Sequence, residues 1–353
     1  MPRTSRRLAA AALALVTATS LAACRSNSSG GDAGDKASGT PKVKIMVGGI
    51  DKVIYLPAML TQRLGYFKDE GVDVKLLTEP SGASAENVLV AGQVQGVVGF
   101  YDHTITLQAQ DKCIESVVQL AKVPGEAEVV ATKSAGNVGG TQDFQGKKLG
   151  VTSPGSSTDY LTQYLAKKEG IDSSDYTTVT AGAGSTFIAA LQNGGIDAGM
   201  TTDPTIATAV NNGSGKVLLD MRTEDGTRKA LGGLYPAASM YMDCSYVKQN
   251  PETVQKLVNA FVKTMGWIGS HDAAEIAAKM PEDYNGGNAK LYEQSIKDSS
   301  PMFTPDGKMP EGGPETVLDV LGTFSDTVKA KKDDIDLSKT YTTQFVDKAD
   351  SAS

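Results

Sequence analysis

Few side chains in this 353-residue chain have the types and spacing that catalysis requires. The two histidines, His103 and His271, lie far apart in sequence, and His271 is predicted to end a helix. Serines near His103 lie in glycine-rich loops without the Gly-x-Ser-x-Gly turn that exposes a nucleophile. Cys-x-x-Cys, His-x-x-x-His and calcium-loop spacings are also missing from the sequence. The sequence therefore favours binding over catalysis and predicts neither a metal nor a cofactor.

A loop rich in hydroxyl groups, residues 153–159, lies between a short apolar run at residues 148–152 and a helical pattern. Parallel strands that lead into helices place the helix N-termini at the carboxyl edge of the sheet, where such sheets bind ligands. The backbone N–H groups and the hydroxyls of Ser156, Ser157 and Thr158 could therefore bind an oxyanion or a carbonyl group. The same hydroxyls could also do no more than cap the helix, because serine and threonine are common caps.

The later part of this unit recurs earlier in the chain. Gly184 and Leu191 fall on Gly82 and Leu89 when the numbering is shifted by 102. A lobe that is built twice predicts a cleft between two matched α/β lobes, lined by loops at their strand ends. The residues expected to contact a ligand there are Asp51, Tyr55, Ser81, Gly82, Ala83, Tyr101, Asp102, His103, Glu126, Ser153, Gly155, Ser156, Ser157, Thr158 and Asp203.

Several short motifs have the order and spacing of a known family. They are GYFKDEGVDV at residues 65–74, PSGA at 80–83, AGQVQ at 91–95, FQGKKLGV at 144–151, GSSTDY at 155–160 and DAGMTTDP at 197–204. Together they resemble the substrate-binding proteins that serve ABC importers for nitrate, sulfonates, taurine and thiamine-precursor pyrimidines. The resemblance covers roughly residues 43–251 and does not identify the ligand.

The resemblance implies an α/β fold of the two-lobed type 2 periplasmic-binding-protein class, in which each lobe is a mixed sheet flanked by helices. The expected parts are residues 41–129 for the first part of lobe 1, residues 130–236 for lobe 2, and residues 237–353 for the return to lobe 1 and the C-terminal helices. The crossings between lobes are expected near residues 129–132 and 234–241. A helical C-terminal tail is expected to pack on the outside of lobe 1.

The N-terminus has the pattern of an exported lipoprotein. Three arginines precede an apolar stretch that is too short to span a bilayer, so residues 1–23 are predicted to be a secretory signal peptide. The motif Leu21-Ala22-Ala23-Cys24 resembles the lipobox of bacterial lipoproteins, in which the cysteine becomes the lipid-modified N-terminus. Residues 24–40 are rich in glycine and serine, which is typical of a flexible tether. We therefore expect a mature chain anchored by lipid at the outer face of the cell membrane.

The other two cysteines, Cys113 and Cys244, are expected on neighbouring segments of lobe 1. An oxidising compartment outside the cytoplasm favours a disulfide between them. Two separate buried thiols are the alternative, because a sequence does not show the Cα separation that a bridge requires.

Charge restricts the ligand and the partners. The formal net charge is −7, and it becomes −10 without residues 1–23, which contain three arginines and no acids. Such an acidic protein is a poor candidate for binding nucleic acid. The candidate loops carry several acids and no arginine, the residue that usually binds planar anions. A zwitterion, an amine or a neutral heterocycle therefore fits as well as nitrate or a sulfonate, although helix-end amides alone can bind an anion.

The function implied by the resemblance is that of a monomeric receptor that closes on a small molecule and delivers it to an ABC permease. An enzyme is the first alternative, since the same fold occurs in a pyrimidine synthase of thiamine biosynthesis that consumes its own histidine. That synthase family carries a cysteine-rich iron motif, which this sequence lacks, and has no export signal. A sensor that reports ligand occupancy to a membrane kinase is the second alternative.

Overall fold

The computed structural model describes residues 39–350, with the side chain of Asp350 left out. The predicted signal peptide, the predicted lipidation site Cys24 and almost all of the predicted tether lie outside the described residues. The strands are β1 (Lys42–Val47), β2 (Asp73–Thr78), β3 (Gly96–Phe100), β4 (Ile114–Gln119), β5 (Glu126–Ala131), β6 (Lys148–Val151), β7 (Thr177–Thr180), β8 (Ala198–Thr202), β9 (Gly215–Asp220) and β10 (Ala238–Asp243).

Helices follow most of the strands and then fill the C-terminal third. They are α1 (Leu56–Leu64), α2 (Tyr66–Asp69), α3 (Gly82–Val90), α4 (Asp102–Gln108), α5 (Ser157–Lys168), α6 (Ser185–Asn193), α7 (Thr205–Asn211), α8 (Glu224–Leu231), α9 (Cys244–Gln249), α10 (Pro251–Ser270), α11 (Ala273–Lys279), α12 (Ala289–Ser299), α13 (Gly313–Phe324), α14 (Asp326–Ala330) and α15 (Val346–Asp350). Between residues 39 and 350, none of these helices has both the length and the apolar composition that crossing a membrane requires.

Two five-stranded sheets with the same topology form the two lobes. In lobe 1 the strand order is β2-β1-β3-β10-β4, and in lobe 2 it is β7-β6-β8-β5-β9. The first three strands of each sheet are parallel, and the fourth strand runs antiparallel to both of its neighbours. The repeat in the sequence is therefore a repeat of the strand order, and the two-lobed mixed α/β fold predicted from the sequence is confirmed.

The first crossing lies earlier than the predicted boundary between residues 129 and 130. All of β5, from Glu126 onward, pairs with β8 and β9 in lobe 2, so the chain crosses within residues 120–125. The sequence predicted Glu126 to lie in a cleft loop, since it directly follows Pro124 and Gly125, which are typical of a turn. The structure instead buries both acids of β5, Glu126 and Glu128. The chain returns to lobe 1 before β10, which begins at Ala238.

The C-terminal helices pack on both lobes, whereas the sequence predicted packing on lobe 1 alone. Helix α10 packs on α1, α2 and β4 of lobe 1, and the Phe67 and Phe261 rings meet edge to face with centroids 5.4 Å apart. Helix α12 instead contacts α7, and α13 contacts α5, so both reach lobe 2. Helices α13 and α14 are separate, because Ser325 between them is extended and its side chain caps α14.

Cys113, just before β4, and Cys244, at the start of α9, are joined by a disulfide with a Cα–Cα distance of 5.5 Å. The Cys244 N–H also donates to the carbonyl oxygen of Cys113 at 3.1 Å. This bridge holds α9 against the edge strand of lobe 1.

Candidate functional site

The candidate site is a small cavity between the lobes, which we call the cleft cavity. Its free volume of about 20 Å³ is close to the space that one water molecule needs, so the lobes are closed around it. It is lined by Lys52, Ile54, Tyr55, Gly82, Phe100, Glu126, Thr152, Ser156, Ser157, Thr158 and Thr202. Both lobes contribute to its wall, and an organic ligand therefore requires the lobes to separate before it can enter.

Side chains from the start of α5 and from the end of β6 form a buried hydroxyl cluster at the cavity. The hydroxyl of Thr152 lies 2.8 Å from Ser156 Oγ and 2.9 Å from Thr158 Oγ1. Ser156 Oγ also donates to the carbonyl oxygen of Ser153 at 2.6 Å. These hydroxyls bond within the protein, and so do the N–H groups of Asp159 and Tyr160, which donate to the carbonyl oxygen of Ser156. The groups left for a ligand are therefore the backbone N–H groups of Ser157 and Thr158 at the start of α5.

A hydrogen bond across the cleft joins the lobes through Asp102. Its carboxylate accepts from Ser157 Oγ of lobe 2 at 2.9 Å and from the Tyr235 hydroxyl at 2.8 Å. Burial raises the pKa of Asp102, and His103, Tyr235 and Ser157 offset part of that rise by favouring the ionised form. Asp102 is thus a contact between the lobes rather than part of the cavity wall.

His103 lies behind the cavity wall. Its Nδ1 is 2.7 Å from Glu86 Oε2, and its ring packs edge-on against Tyr160 of α5 with centroids 5.9 Å apart. Burial lowers the pKa of His103, but the carboxylates of Glu86 and Asp102 outweigh burial and raise it. A Cβ on Gly82 would lie 2.8 Å from Nε2 of this histidine, so glycine allows the loop before α3 to pack against the ring.

The floor of the cavity combines a buried lysine with a buried acid. Lys52 Nζ donates to the carbonyl oxygens of Gly48 at 2.8 Å and Pro80 at 3.0 Å. Burial lowers the pKa of Lys52 to about 8, against the opposing effects of Asp51 and Glu126. Burial and the acids Asp102 and Glu128 raise the pKa of Glu126, and Lys52 opposes them.

Asp203 lies near the cleft but serves the framework. Its carboxylate accepts from Arg222 Nη1 at 3.0 Å, from Ser299 Oγ at 2.8 Å and from the Ala207 N–H at 3.0 Å. Its backbone oxygen accepts from the Val53 N–H of lobe 1 at 2.9 Å. Burial raises the pKa of Asp203, and Arg222 offsets part of this rise. Asp203 therefore connects lobe 2 both to α12 and to lobe 1.

Of the residues predicted to contact ligand, six line the cleft cavity: Tyr55, Gly82, Glu126, Ser156, Ser157 and Thr158. Ala83 and Gly155 face each other from the two lobes, since a Cβ on Gly155 would lie 3.9 Å from the Ala83 Cβ. Ser81 caps α3 by accepting from the Ser84 N–H. Asp51 is exposed, and Tyr101 points away from the cavity, with its hydroxyl bonded to Thr340. The loops predicted to face each other thus do so, although several of their side chains have structural partners.

Sequence reasoning missed five lining residues: Lys52, Ile54, Phe100, Thr152 and Thr202. Phe100 and Thr202 are the last residues of β3 and β8, so the rule that ligands bind at strand ends could have found them. The sequence also gave no sign of Arg222, which bonds to Asp203 from 19 positions away. Across the described part of the chain, no group of three or more histidine, cysteine, aspartate or glutamate residues could hold a metal ion.

The chain is similar to proteins of one sequence family. The profile of the family described as NMT1/THI5 like matches residues 55–274, which is more than half of the chain. The chain therefore belongs to the NMT1/THI5-like family.

The relatives of this chain include one protein named as an enzyme and one named as a putative binding protein. The 4-amino-5-hydroxymethyl-2-methylpyrimidine phosphate synthase THI13 of Saccharomyces cerevisiae is 24% identical over 234 residues, covering 65% of this chain and 67% of the yeast protein. The putative binding protein YtlA of Bacillus subtilis is 23% identical over 250 residues, covering 69% of this chain and 72% of YtlA.

Solved structures show the same fold. A protein from Bordetella bronchiseptica is 34% identical with a TM-score of 0.83, covering 88% of this chain and 97% of that one. The periplasmic nitrate-binding protein NrtA of Synechocystis is 15% identical with a TM-score of 0.69, covering 89% of each chain. The alkanesulfonate-binding protein SsuA of Xanthomonas axonopodis pv. citri, bound to MOPS, is 17% identical with a TM-score of 0.66, covering 84% of this chain and 95% of SsuA. The fold is thus the type 2 periplasmic-binding-protein fold.

Proposed function

We propose that this protein is an extracytoplasmic solute receptor that closes on a small organic molecule and delivers it to an ABC permease. The observation that carries the proposal is the cleft cavity, because its wall is complete only when both lobes meet. Ligand contacts made by both lobes favour the closed state by the difference in affinity between the closed and open states. The fold shared with NrtA and SsuA, and the similarity to YtlA, support the same role.

The N-terminal sequence supports a receptor anchored to the membrane by lipid on Cys24. The motif Leu21-Ala22-Ala23-Cys24 and the polar tether that follows it are the basis of this part of the proposal. Replacing Cys24 with serine is expected to release the protein from the membrane fraction. Continued fractionation of Cys24→Ser with membranes would count against the anchor.

A pyrimidine synthase is the second candidate, since the yeast relative carries that name. The histidine nearest to the cavity, His103, is paired with Glu86 behind the cavity wall. A binding role therefore agrees better with this geometry. A chemically altered product formed from a hit in the ligand screen described below, in no more than one equivalent and with loss of mass from the protein, would favour the enzyme.

The test is a thermal-shift screen of the purified protein against nitrate, sulfonates, taurine, amines, pyrimidines and flavins. A ligand at 100 times its dissociation constant stabilises a protein by about 2.7 kcal/mol, which such a screen detects. Any hit is then titrated by calorimetry into wild type, Ser157→Ala and Ser185→Ala. Ser157 begins α5 and bonds across the cleft, whereas the exposed Ser185 begins α6 of the same lobe and serves as the matched control.

We expect Ser157→Ala to weaken binding by about 1.5–3 kcal/mol, the usual net value of a hydrogen bond to a charged group, because the closed state loses the bond to Asp102, while Ser185→Ala leaves binding unchanged. Equal affinity in both variants would place the ligand outside the cleft. A screen without any hit in these classes would contradict the proposed receptor function.

A further inference from the structure

Glu126 offers the cleft cavity an acceptor that the protein itself does not use. The residue is the first of β5, is only 3% exposed, and lines the cavity. Its Oε2 atom is buried and has no hydrogen-bond partner among the described residues. An unpartnered buried carboxylate oxygen costs free energy, so a donor from a ligand would be favourable at this position.

The titratable groups near Glu126 are mainly acids. Asp102 and Glu128 act on Glu126 through space, and each raises its pKa by repulsion. Lys52 is the one cation in the cavity wall, and two of its donors already bond to backbone oxygens. The guanidinium of Arg222 bonds to acids of the framework and is not part of the wall. A ligand with positive charge would therefore reduce the repulsion, whereas an anion would add to it.

Apolar and aromatic side chains complete the wall. Tyr55 and Phe100 meet edge to face with ring centroids 6.3 Å apart, and Ile54 lies beside them on the same wall. Such a corner favours a flat or apolar group next to the charged group of a ligand.

We propose that the natural ligand carries a cationic nitrogen that donates an N–H to Glu126, with a flat or apolar portion against Tyr55 and Phe100. This inference rests on the proposed receptor function and deepens it by naming the ligand class. The first-turn N–H groups of α5 favour an anion and are therefore the main argument against a cationic ligand. Two of these N–H groups, those of Asp159 and Tyr160, already donate to the carbonyl oxygen of Ser156, which leaves Ser157 and Thr158 beside Glu126 in the cavity wall. A cationic ligand also lowers the pKa of Glu126 and so favours the ionised form that accepts its N–H.

The test uses three probes with the same ring and different charges: benzamidine as the cation, benzamide as the neutral analogue and benzoate as the anion. Each is titrated at concentrations up to about 10 mM, a range suited to weak fragment binding. We expect benzamidine to raise the melting temperature of the wild-type protein and to bind at least about tenfold more tightly than either analogue, as a charge-assisted hydrogen bond predicts.

Two variants separate a role in recognition from general electrostatics. Glu126→Gln keeps the size of the side chain and is expected to weaken benzamidine binding by about tenfold or more while benzamide binding changes little. Glu128→Gln removes an acid from the same strand that does not line the cavity, so benzamidine affinity is expected to stay within about threefold of wild type. A near-ultraviolet spectrum equal to that of wild type shows that each variant is folded.

The outcomes distinguish this inference from the proposed function. Tighter binding of benzoate than of benzamidine, strengthened by Glu126→Gln, would overturn the cationic ligand and leave the receptor intact. If benzamidine does not bind and the broader screen finds an anion whose binding depends on Ser157, the cationic ligand would also be overturned and the receptor function would stand. Failure of every probe and of every screened class would reject both.

Discussion

Gly155 lies at a contact between the two lobes, and its surroundings make it a sensitive position. Its φ of +78° favours glycine, and a Cβ there would face the Cβ of Ala83 in the other lobe. Gly170 has the same φ of +78°, but a Cβ there would meet nothing within 4 Å. Gly155→Val should therefore carry the same backbone strain as Gly170→Val and, in addition, hold the lobes apart.

We expect Gly155→Val to weaken ligand binding by at least about tenfold, or roughly 1.4 kcal/mol, while Gly170→Val binds as wild type does. Both variants should lose a similar amount of stability in urea denaturation. Calorimetric titration with a hit from the screen measures the difference. Equal affinities would mean that the lobes do not need to meet at Gly155 for binding.

Glu128 is expected to make the stability of the protein depend on pH, and a single substitution can separate this contribution from the others. Burial raises the pKa of this fully buried residue from an ordinary value of 4.5 to about 8. Between these values the folded protein retains a proton that the unfolded chain releases, so stability falls as pH rises through this range. Glu128→Gln removes the titrating group and should remove this part of the fall.

Relative to wild type, the free energy of unfolding of Glu128→Gln should increase as the pH rises from about 4.5 to about 8. Above about pH 8 the difference between the two proteins should stay constant. The full difference should be on the order of a few kcal/mol. Urea denaturation at several pH values measures it. Parallel curves for the two proteins would show that Glu128 ionises normally in the folded state.

At the scale of single residues, the sequence predicted which loops meet at the cleft better than it predicted the role of each side chain there. Glycine and serine at strand ends correctly indicated the loops that meet at the cleft, because turn chemistry is local. The roles of Ser156 and Asp203 depend on partners brought close by the fold, and Arg222 becomes a partner only there. An acid such as Glu126 in a short apolar strand is also easily assigned to a loop, since burial is a tertiary property.

Among the elements, the connection between lobe 2 and α12 depends on Arg222. Its guanidinium bonds to the fully buried Asp203 and to Asp220, and Ser299 of α12 bonds to the same Asp203 carboxylate. Burial raises the pKa of Asp203, so loss of Arg222 would leave a buried acid without its cation.

Arg222→Ala is therefore expected to lower the free energy of unfolding by about 3–5 kcal/mol, as does breaking other buried ion pairs. Arg228→Ala is the matched control, because this exposed arginine pairs with Glu224 in a single turn of α8 and should cost less than about 1 kcal/mol. Chemical denaturation measures both. Similar losses in the two variants would contradict a specific role for the Asp203 network.

The order of the elements was predictable, and their packing was predictable only in part. Periodic apolar runs between glycine-rich turns indicate strands and helices, and the internal repeat implied two similar sheets. Nothing in the local pattern of α12 or α13 indicates which lobe each helix covers. Their contacts with α7 and α5 depend on the tertiary arrangement of the lobes.

At the scale of the whole molecule, we expect ligand binding to be coupled to closure of the two lobes. Residues from both lobes line one cavity too small for an organic molecule, and the bond between Asp102 and Ser157 spans the cleft. A receptor of the kind we propose must therefore open to admit a ligand and close to contact it from both sides. The chain also carries its C-terminal helices across both lobes, so closure has to repack the contacts of α12 and α13 or move these helices with one lobe.

The most direct measurement is the distance between probes on the two lobes, with and without a ligand found in the screen. Exposed Lys75 on β2 and Lys216 on β9 can be replaced by labelled cysteines in a Cys24→Ser chain, and Lys75 paired with Lys248 on α9 provides a control within lobe 1. If the lobes close on the ligand, saturation should shift the Lys75–Lys216 distance distribution toward one narrow population. The Lys75–Lys248 distances should not change. In Gly155→Val the shift of the Lys75–Lys216 distances should be lost. An identical Lys75–Lys216 distribution with and without saturating ligand would contradict the account.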